Sequence, residues 1–214
     1  MIRILPSLIA VIPLFAFGLV AEQLWRKKIM QGELGRKLVH ILFGIWIAFW
    51  PLFISFNEIV FLCILMFFGT LLFRFLPLIH VGYDVPRKTI GQYIYPLSIA
   101  ILAILAREDW QFTLAVLVLA IPDGMAAIIG GHFGKKAIMY RVYNHTKTVQ
   151  GTATYFLLTM AIFTIFKTIG DFDVLSWISI FVFTGIATLL ENVLAYGLDN
   201  LVIPVALMAV LRFL

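Results

Sequence analysis

The chain has 214 residues, 63% of them hydrophobic and 13% charged, with a mean hydropathy of +1.05 and a formal net charge of +5. Apolar content on this scale excludes a soluble globular domain and requires lipid around the protein, at about 20 apolar residues per helical crossing. The single Cys63, set in an apolar run, excludes a disulfide framework and a cysteine metal site, and four scattered histidines do not make one either.

Apolar runs predict helices near 4–24, 37–56, 58–76, 91–106, 111–133, 151–169, 174–194 and 198–214. The last run is short. The expected fold is therefore all-α: a polytopic integral membrane bundle of seven or eight transmembrane helices, with residues 1–214 forming one transmembrane domain. Arg3 ahead of the first run resembles the start of a signal peptide, but the run is long enough to span and no clear A-x-A site follows, so it reads as a retained helix. Connections are short, which favours antiparallel neighbours. No low-complexity segment or internal repeat stands out.

Charge is distributed unevenly. Arg26, Lys27, Lys28, Arg36 and Lys37 follow the first run; Arg74, Arg87 and Lys88 follow the third; Lys135, Lys136, Arg141 and Lys147 follow the fifth. Only Arg3, Arg107, Lys167 and Arg212 fall on the other side. The positive-inside rule then makes those three connections cytoplasmic and puts the N-terminus outside. Net charge is thus mostly a topology signal, and no nucleic-acid partner is expected. The 20 Phe, 7 Tyr and 5 Trp fit lipid contact and interfacial belts rather than base stacking. Glu108–Asp109 and Asp171–Asp173 fall outside and read as solvated loops. Every other polar cluster falls at the cytoplasmic boundary, which suggests one shared site.

Taken in order, the first cluster is Gly32–His40, GELGRKLVH. Arg36 and His40, four apart, share a helix face. Arg36 suits a bidentate grip on phosphate and Lys37 adds a point charge; both residue types also snorkel to lipid headgroups. The second, Val85–Tyr95, brings Arg87, Lys88 and Gln92 around a turn, where a positive-inside loop is the plainer reading. The third is Pro122–Lys136, PDGMAAIIGGHFGKK. Asp123 is the expensive residue, because a carboxylate at membrane depth faces a partner or a watery site. Ala126, Gly130 and Gly134 follow on one narrow stripe, with Lys135 at its foot. Small residues admit a close ligand or simply a neighbouring helix. The fourth, His145–Thr152, sets Lys147, Thr148 and Gly151 at a helix start, a plausible anion site without the spacing of a Walker A loop. The fifth, Glu191–Asn200, supplies Glu191, Asp199 and Asn200, with Gly197 permitting a tight turn; Asp199 alone also fits a helix cap. Carboxylates beside cations are what a Mg²⁺–nucleotide site needs.

The ordered set Asp123-x-x-Ala126-x-x-x-Gly130-x-x-x-Gly134-Lys135, Lys147-Thr148-x-x-Gly151 and Gly197-Leu198-Asp199-Asn200-x-x-x-Pro204, with Arg36-Lys37-x-x-His40 before it, resembles the dolichol/phytol/diacylglycerol (polyprenol) kinase family, membrane kinases that generally use CTP. The similarity spans most of the chain. Phosphatidate cytidylyltransferases, which share a related Asp…Gly…Lys-Thr pattern, are the nearest competitor. The resemblance implies a lipid-alcohol kinase that transfers the γ-phosphoryl of CTP (or ATP) to an isoprenoid alcohol or diacylglycerol at the cytoplasmic face; the compact size of the chain points to the plasma membrane. Mg²⁺ would be held by Asp123 with Asp199 or Glu191. Arg36, Lys37, Lys135 and Lys147 would cradle phosphates, with Ala126, Gly130, Gly134, Thr148, Gly151 and Asn200 completing the nucleotide surface. One of the acids or His40 would take the hydroxyl proton. Two positions depart from the family pattern: Gln150 and Gln92 stand where Glu is usual. Each keeps shape and loses charge, which leaves open the metal count, an altered nucleotide or substrate, a weakened enzyme, or a non-catalytic lipid-binding or transport protein; cytidylyl transfer stays the competing activity.

Overall fold

In an apolar surrounding a backbone has to satisfy its own hydrogen bonds, and each apolar run of this chain folds as an α-helix. The computed structural model describes residues 4–73, 80, 89–133, 138–143, 145–170 and 175–212. Its helices are α1 (Ile4–Arg26), α2 (Gly32–Ala48), α3 (Phe56–Phe73), α4 (Gly91–Leu105), α5 (Asp109–His132), α6 (Val149–Ile169), α7 (Trp177–Val193) and α8 (Asp199–Leu211). The run expected at 37–56 stops early, because Pro51 cannot continue a helical ladder; Trp50–Leu52 turn as a short 3₁₀ segment instead. Side chains fix several starts. Thr148 caps α6 by accepting from the Gly151 amide at 3.1 Å, and Ser176 caps α7 by accepting from the Ser179 amide at 3.0 Å. Glu108 and Gln111 form a capping box on α5.

Helix lengths by themselves support four of the expected seven or eight crossings. Among the described residues, α1, α3, α5 and α6 are long and apolar enough to cross a membrane. The other four hold 17, 15, 17 and 13 residues. At about 1.5 Å per residue they rise roughly 20–26 Å, short of a hydrocarbon layer of about 30 Å.

Helix α5 is the axle. It packs on α2 and α6 and touches α4 and α8, while α3 packs on α4 and α7 on α6. Trp46 ties α2 to α1 by donating to the Ala10 carbonyl at 2.7 Å. The main core gathers Trp50, Ile59, Ile99, Phe112, Leu114, Phe163, Ile180 and Met208. A second, small cluster of Ala126, Tyr155 and Ile203 lies apart from it. Among the described residues one element is not helical. Residues Met139–Val142 (β1) and His145–Thr148 (β2) pair antiparallel, with Tyr140 opposite Lys147. The segment Tyr140-Arg-Val-Tyr-Asn-His-Thr-Lys-Thr148 carries the signal in its β-branched and aromatic residues around Asn144.

Candidate functional site

Asp123 is buried in α5, and α2 supplies its partners. Lys37 Nζ donates to Asp123 Oδ2 at 2.5 Å, and His40 Nε2 lies 3.4 Å from the same oxygen and 3.3 Å from the Leu119 carbonyl oxygen. Lys37 is only 3% exposed and Asp123 8%, so this charge pair is largely withdrawn from water. The His40 ring packs on Tyr95, centroids 4.4 Å apart. Arg36 and His40 keep the four-residue spacing of one helix face. The face turned to Asp123 carries Lys37 and His40, three apart, while Arg36 makes a two-pronged contact with Glu33, Nη2 to Oε1 at 2.6 Å and Nε to Oε2 at 3.1 Å. Arg36 is thereby spoken for within its own helix turn.

A second pair joins the β-hairpin to α7. Lys147 Nζ donates to Glu191 Oε1 at 2.5 Å and to the Glu191 carbonyl at 2.8 Å. The small-residue stripe of α5 is used for packing. A Cβ built on Gly130 would strike Thr148 Oγ1, and one on Gly151 would strike both that oxygen and the Ala126 carbonyl. Ala126, Gly130 and Gly151 therefore let α6 start hard against α5, with Thr148 wedged between them. Gly134 and Lys135 lie outside the described residues.

The third contribution comes from the turn between α7 and α8. Gly197 has φ +94, and its neighbour there is the Gly91 backbone, so neither position leaves room for a side chain. That turn delivers Asp199 and Asn200 to the start of α8. One cavity of about 10 Å³ collects the result: Asp123, Glu191, Asp199 and Asn200 line it, with Leu119, Tyr155, Ile203 and Pro204 as apolar walls. That is close to the volume of one water or small ion. All three acids expected to share a site do line one cavity. Two of them already hold a lysine each, and no three His, Cys, Asp or Glu side chains of the described residues cluster tightly enough to bind a metal by themselves.

Two groups in the cavity lack partners among the described residues. Asn200 is 3% exposed, and its Oδ1 accepts no hydrogen bond among the described residues. The Asp199 side chain has no hydrogen bond or ion pair among the described residues. A carboxylate and an amide oxygen left over in an ion-sized cavity are hard donors. They fit Mg²⁺, which binds through one or two carboxylates and takes its remaining ligands from phosphates and water. Sequence reasoning missed Tyr155, which is 1% exposed and walls the cavity. Its signal was position: it follows Gly151 by four and shares that helix face. Gln150 has a structural use, its Oε1 accepting from the Ile138 amide at 3.2 Å.

The fold and the cavity define an all-α membrane protein with buried lysine–carboxylate pairs around an oxygen-lined centre. No family model matches the chain, and no solved structure matches it. Two curated relatives do. The chain is 30% identical over 208 residues to a phytol kinase of Synechocystis sp., covering 88% of this chain and 82% of that protein. It is 28% identical over 216 residues to a probable phytol kinase 1, chloroplastic, of Glycine max, covering 90% of this chain and 70% of that one. The chain belongs to the polyprenol/phytol kinase family, a family of lipid-alcohol kinases.

Proposed function

We propose that this protein transfers the γ-phosphoryl group of CTP, or of ATP, to phytol or a related membrane alcohol, diacylglycerol included. The observation that carries the reading is the convergence of Asp123, Glu191, Asp199 and Asn200 on one cavity, flanked by Lys37 and Lys147. Phosphoryl transfer asks little covalent chemistry of a protein; placement and charge neutralisation do most of the work. In this reading Asp199 and the free Oδ1 of Asn200, with Asp123 close by, hold Mg²⁺. When bound, the metal neutralises phosphate oxygens and keeps the transferred group in line. Lys37 and Lys147 exchange part of their bonding from carboxylate to phosphate when a nucleotide arrives. His40 holds Asp123 in place from the other side. Glu191, with Oε1 fixed by Lys147, takes the proton of the attacking hydroxyl at its carboxylate. Lys135 and Arg36 add long-range positive charge.

The same reading has the chain as a single domain with eight helical crossings, its N-terminus outside and its polar centre facing the cytoplasm at the plasma membrane. The basic connections support that orientation.

The test is lipid labelling by the purified protein in nanodiscs, with Mg²⁺ and CTP labelled at the α or the γ phosphorus. Phytol, polyprenols, diacylglycerol and phosphatidate are offered. Label from the γ position is expected in an alcohol, and Asp199→Asn, which breaks no ion pair among the described residues, should reduce it by about 10²-fold or more with the fold kept. Label from the α position, with pyrophosphate released, moves the protein to cytidylyl transfer. No label from CTP or ATP removes catalysis and leaves a lipid-binding or transport protein.

A further inference from the structure

A groove of about 520 Å³ lies between the start of α6 and the end of α7, under the β-hairpin. Its volume falls within the roughly 300–1,000 Å³ usual for small-molecule sites. The walls come from Ala153, Phe156 and Leu157 of α6, with Thr188 of α7 behind them. Among the described residues none that is charged lines it. Leu157 is 63% exposed on a helix apolar and long enough to cross a membrane, so the mouth of the groove opens toward lipid.

The two ends of the groove differ in chemistry. Its head is closed by Tyr140 of β1, whose hydroxyl bonds to Asn192 Oδ1 and to Thr152 Oγ1. Thr152 Oγ1 also donates to Asn192 Oδ1 at 3.1 Å, and Asn192 Nδ2 donates to the Thr188 carbonyl at 2.8 Å. These hydroxyls are linked to the polar centre through the hairpin and α7. Tyr140 pairs with Lys147 across the hairpin, Asn192 follows Glu191 in sequence, and Lys147 is bonded to Glu191. Thr188 lies one turn before Glu191 on α7.

The geometry points to this groove as the binding site for the hydrocarbon tail of the lipid alcohol, with the Tyr140–Thr152–Asn192 cluster holding the alcohol oxygen beside Glu191. The occupant follows from the match of ends. A long apolar body lies along a charge-free wall open to lipid, and a single hydroxyl meets a cluster of hydroxyls and an amide next to a carboxylate. A nucleotide fits neither end, since the groove offers its phosphates no cation. Entry is lateral, so the alcohol does not leave the bilayer to reach the site. This assignment rests on the lipid-kinase reading for the identity of the alcohol, but not for the presence of a lipid.

The experiment uses the full chain in nanodiscs and phytol carrying a diazirine in its tail. After irradiation, adducts are expected on the peptides spanning 149–157 and 184–193, displaced by excess plain phytol. Ala153→Trp and Leu157→Trp fill the groove from exposed positions, so folding is not at stake. They should cut those adducts and raise the KM for phytol roughly tenfold, leaving the KM for nucleotide where it was. Adducts elsewhere on the chain, or adducts that plain phytol does not displace, overturn the groove. If the wild-type protein phosphorylates no alcohol and the displaced adducts still map to α6 and α7, the kinase reading fails and the groove stands. If phytol is phosphorylated and the tryptophans leave its KM unmoved, the groove fails and the kinase stands.

Discussion

Lys37 and Asp123 form the most deeply buried ion pair among the described residues. Each gives up its hydration, and the 2.5 Å contact recovers that loss only while both are present. Removing one partner leaves a buried, uncompensated charge, which costs about 3–5 kcal/mol in such sites. Lys37→Met should therefore lower thermal stability sharply, read as the fraction of monodisperse protein left after heating in detergent. Lys37→Met combined with Asp123→Asn should recover most of the loss, because no bare charge remains. Equal behaviour of the single and double variants would mean that the pair is not desolvated as described. The Lys147–Glu191 pair is the milder case, with the Lys147 side chain 23% exposed, and Lys147→Met should cost less on the same measurement. The sequence pointed to Asp123 through its cost alone. It did not distinguish Arg36 from Lys37 as the partner of His40. Both spacings, four and three, are legal on a helix, and only the side of α2 that packs on α5 decides between them. That side is a tertiary fact, absent from local pattern.

At the scale of elements, the contact between α5 and α6 can be separated from mere helix flexibility by two adjacent glycines. Gly130 faces Thr148 and Gly151, while a Cβ on Gly131 would meet nothing. Gly131→Ala should be neutral or stabilising by about 0.5–1 kcal/mol, since it removes only backbone freedom from an open helical position. Gly130→Leu should destabilise by about 1–3 kcal/mol through overpacking, and should raise the KM for nucleotide as Thr148 is displaced. Indistinguishable variants in heating and kinetics would remove the stripe from both packing and binding. Element positions were largely legible: apolar runs gave the eight helices to within a few residues, except where Pro51 cut α2 short. The hairpin was not read, although its alternation was visible, because two four-residue strands carry too little periodicity beside runs of twenty apolar residues.

At the scale of the whole molecule, the short helices and the polar centre explain one another. Asp123 lies nine residues before the end of α5 at His132, about 14 Å along the helix. For Glu191 and Asp199 to meet it, α7 has to stop and α8 has to start at that depth. If α7 and α8 cross as proposed, their turn puts irregular backbone inside the apolar layer, which is tolerated where it lines a protein-enclosed cavity. On that proposal helix lengths alone undercount crossings, because two helices are cut back to bring their ends to a common site. The basic residues argue for one orientation, and the two questions separate cleanly in one experiment. With buried Cys63 replaced by Ser, single cysteines are placed at the exposed positions Lys27, Arg107 and Tyr143, and sealed vesicles of known orientation are treated with a membrane-impermeant maleimide. Because α5 lies between them, Arg107→Cys and Tyr143→Cys should label from opposite sides; labelling from one side would mean that α5 does not cross. Lys27→Cys should label with Tyr143→Cys, and from the cytoplasmic side, as the basic connections require. If both label from the other side instead, α5 still crosses but the polar centre faces away from the cytoplasm. Cytosolic CTP or ATP could then not be the phosphoryl donor.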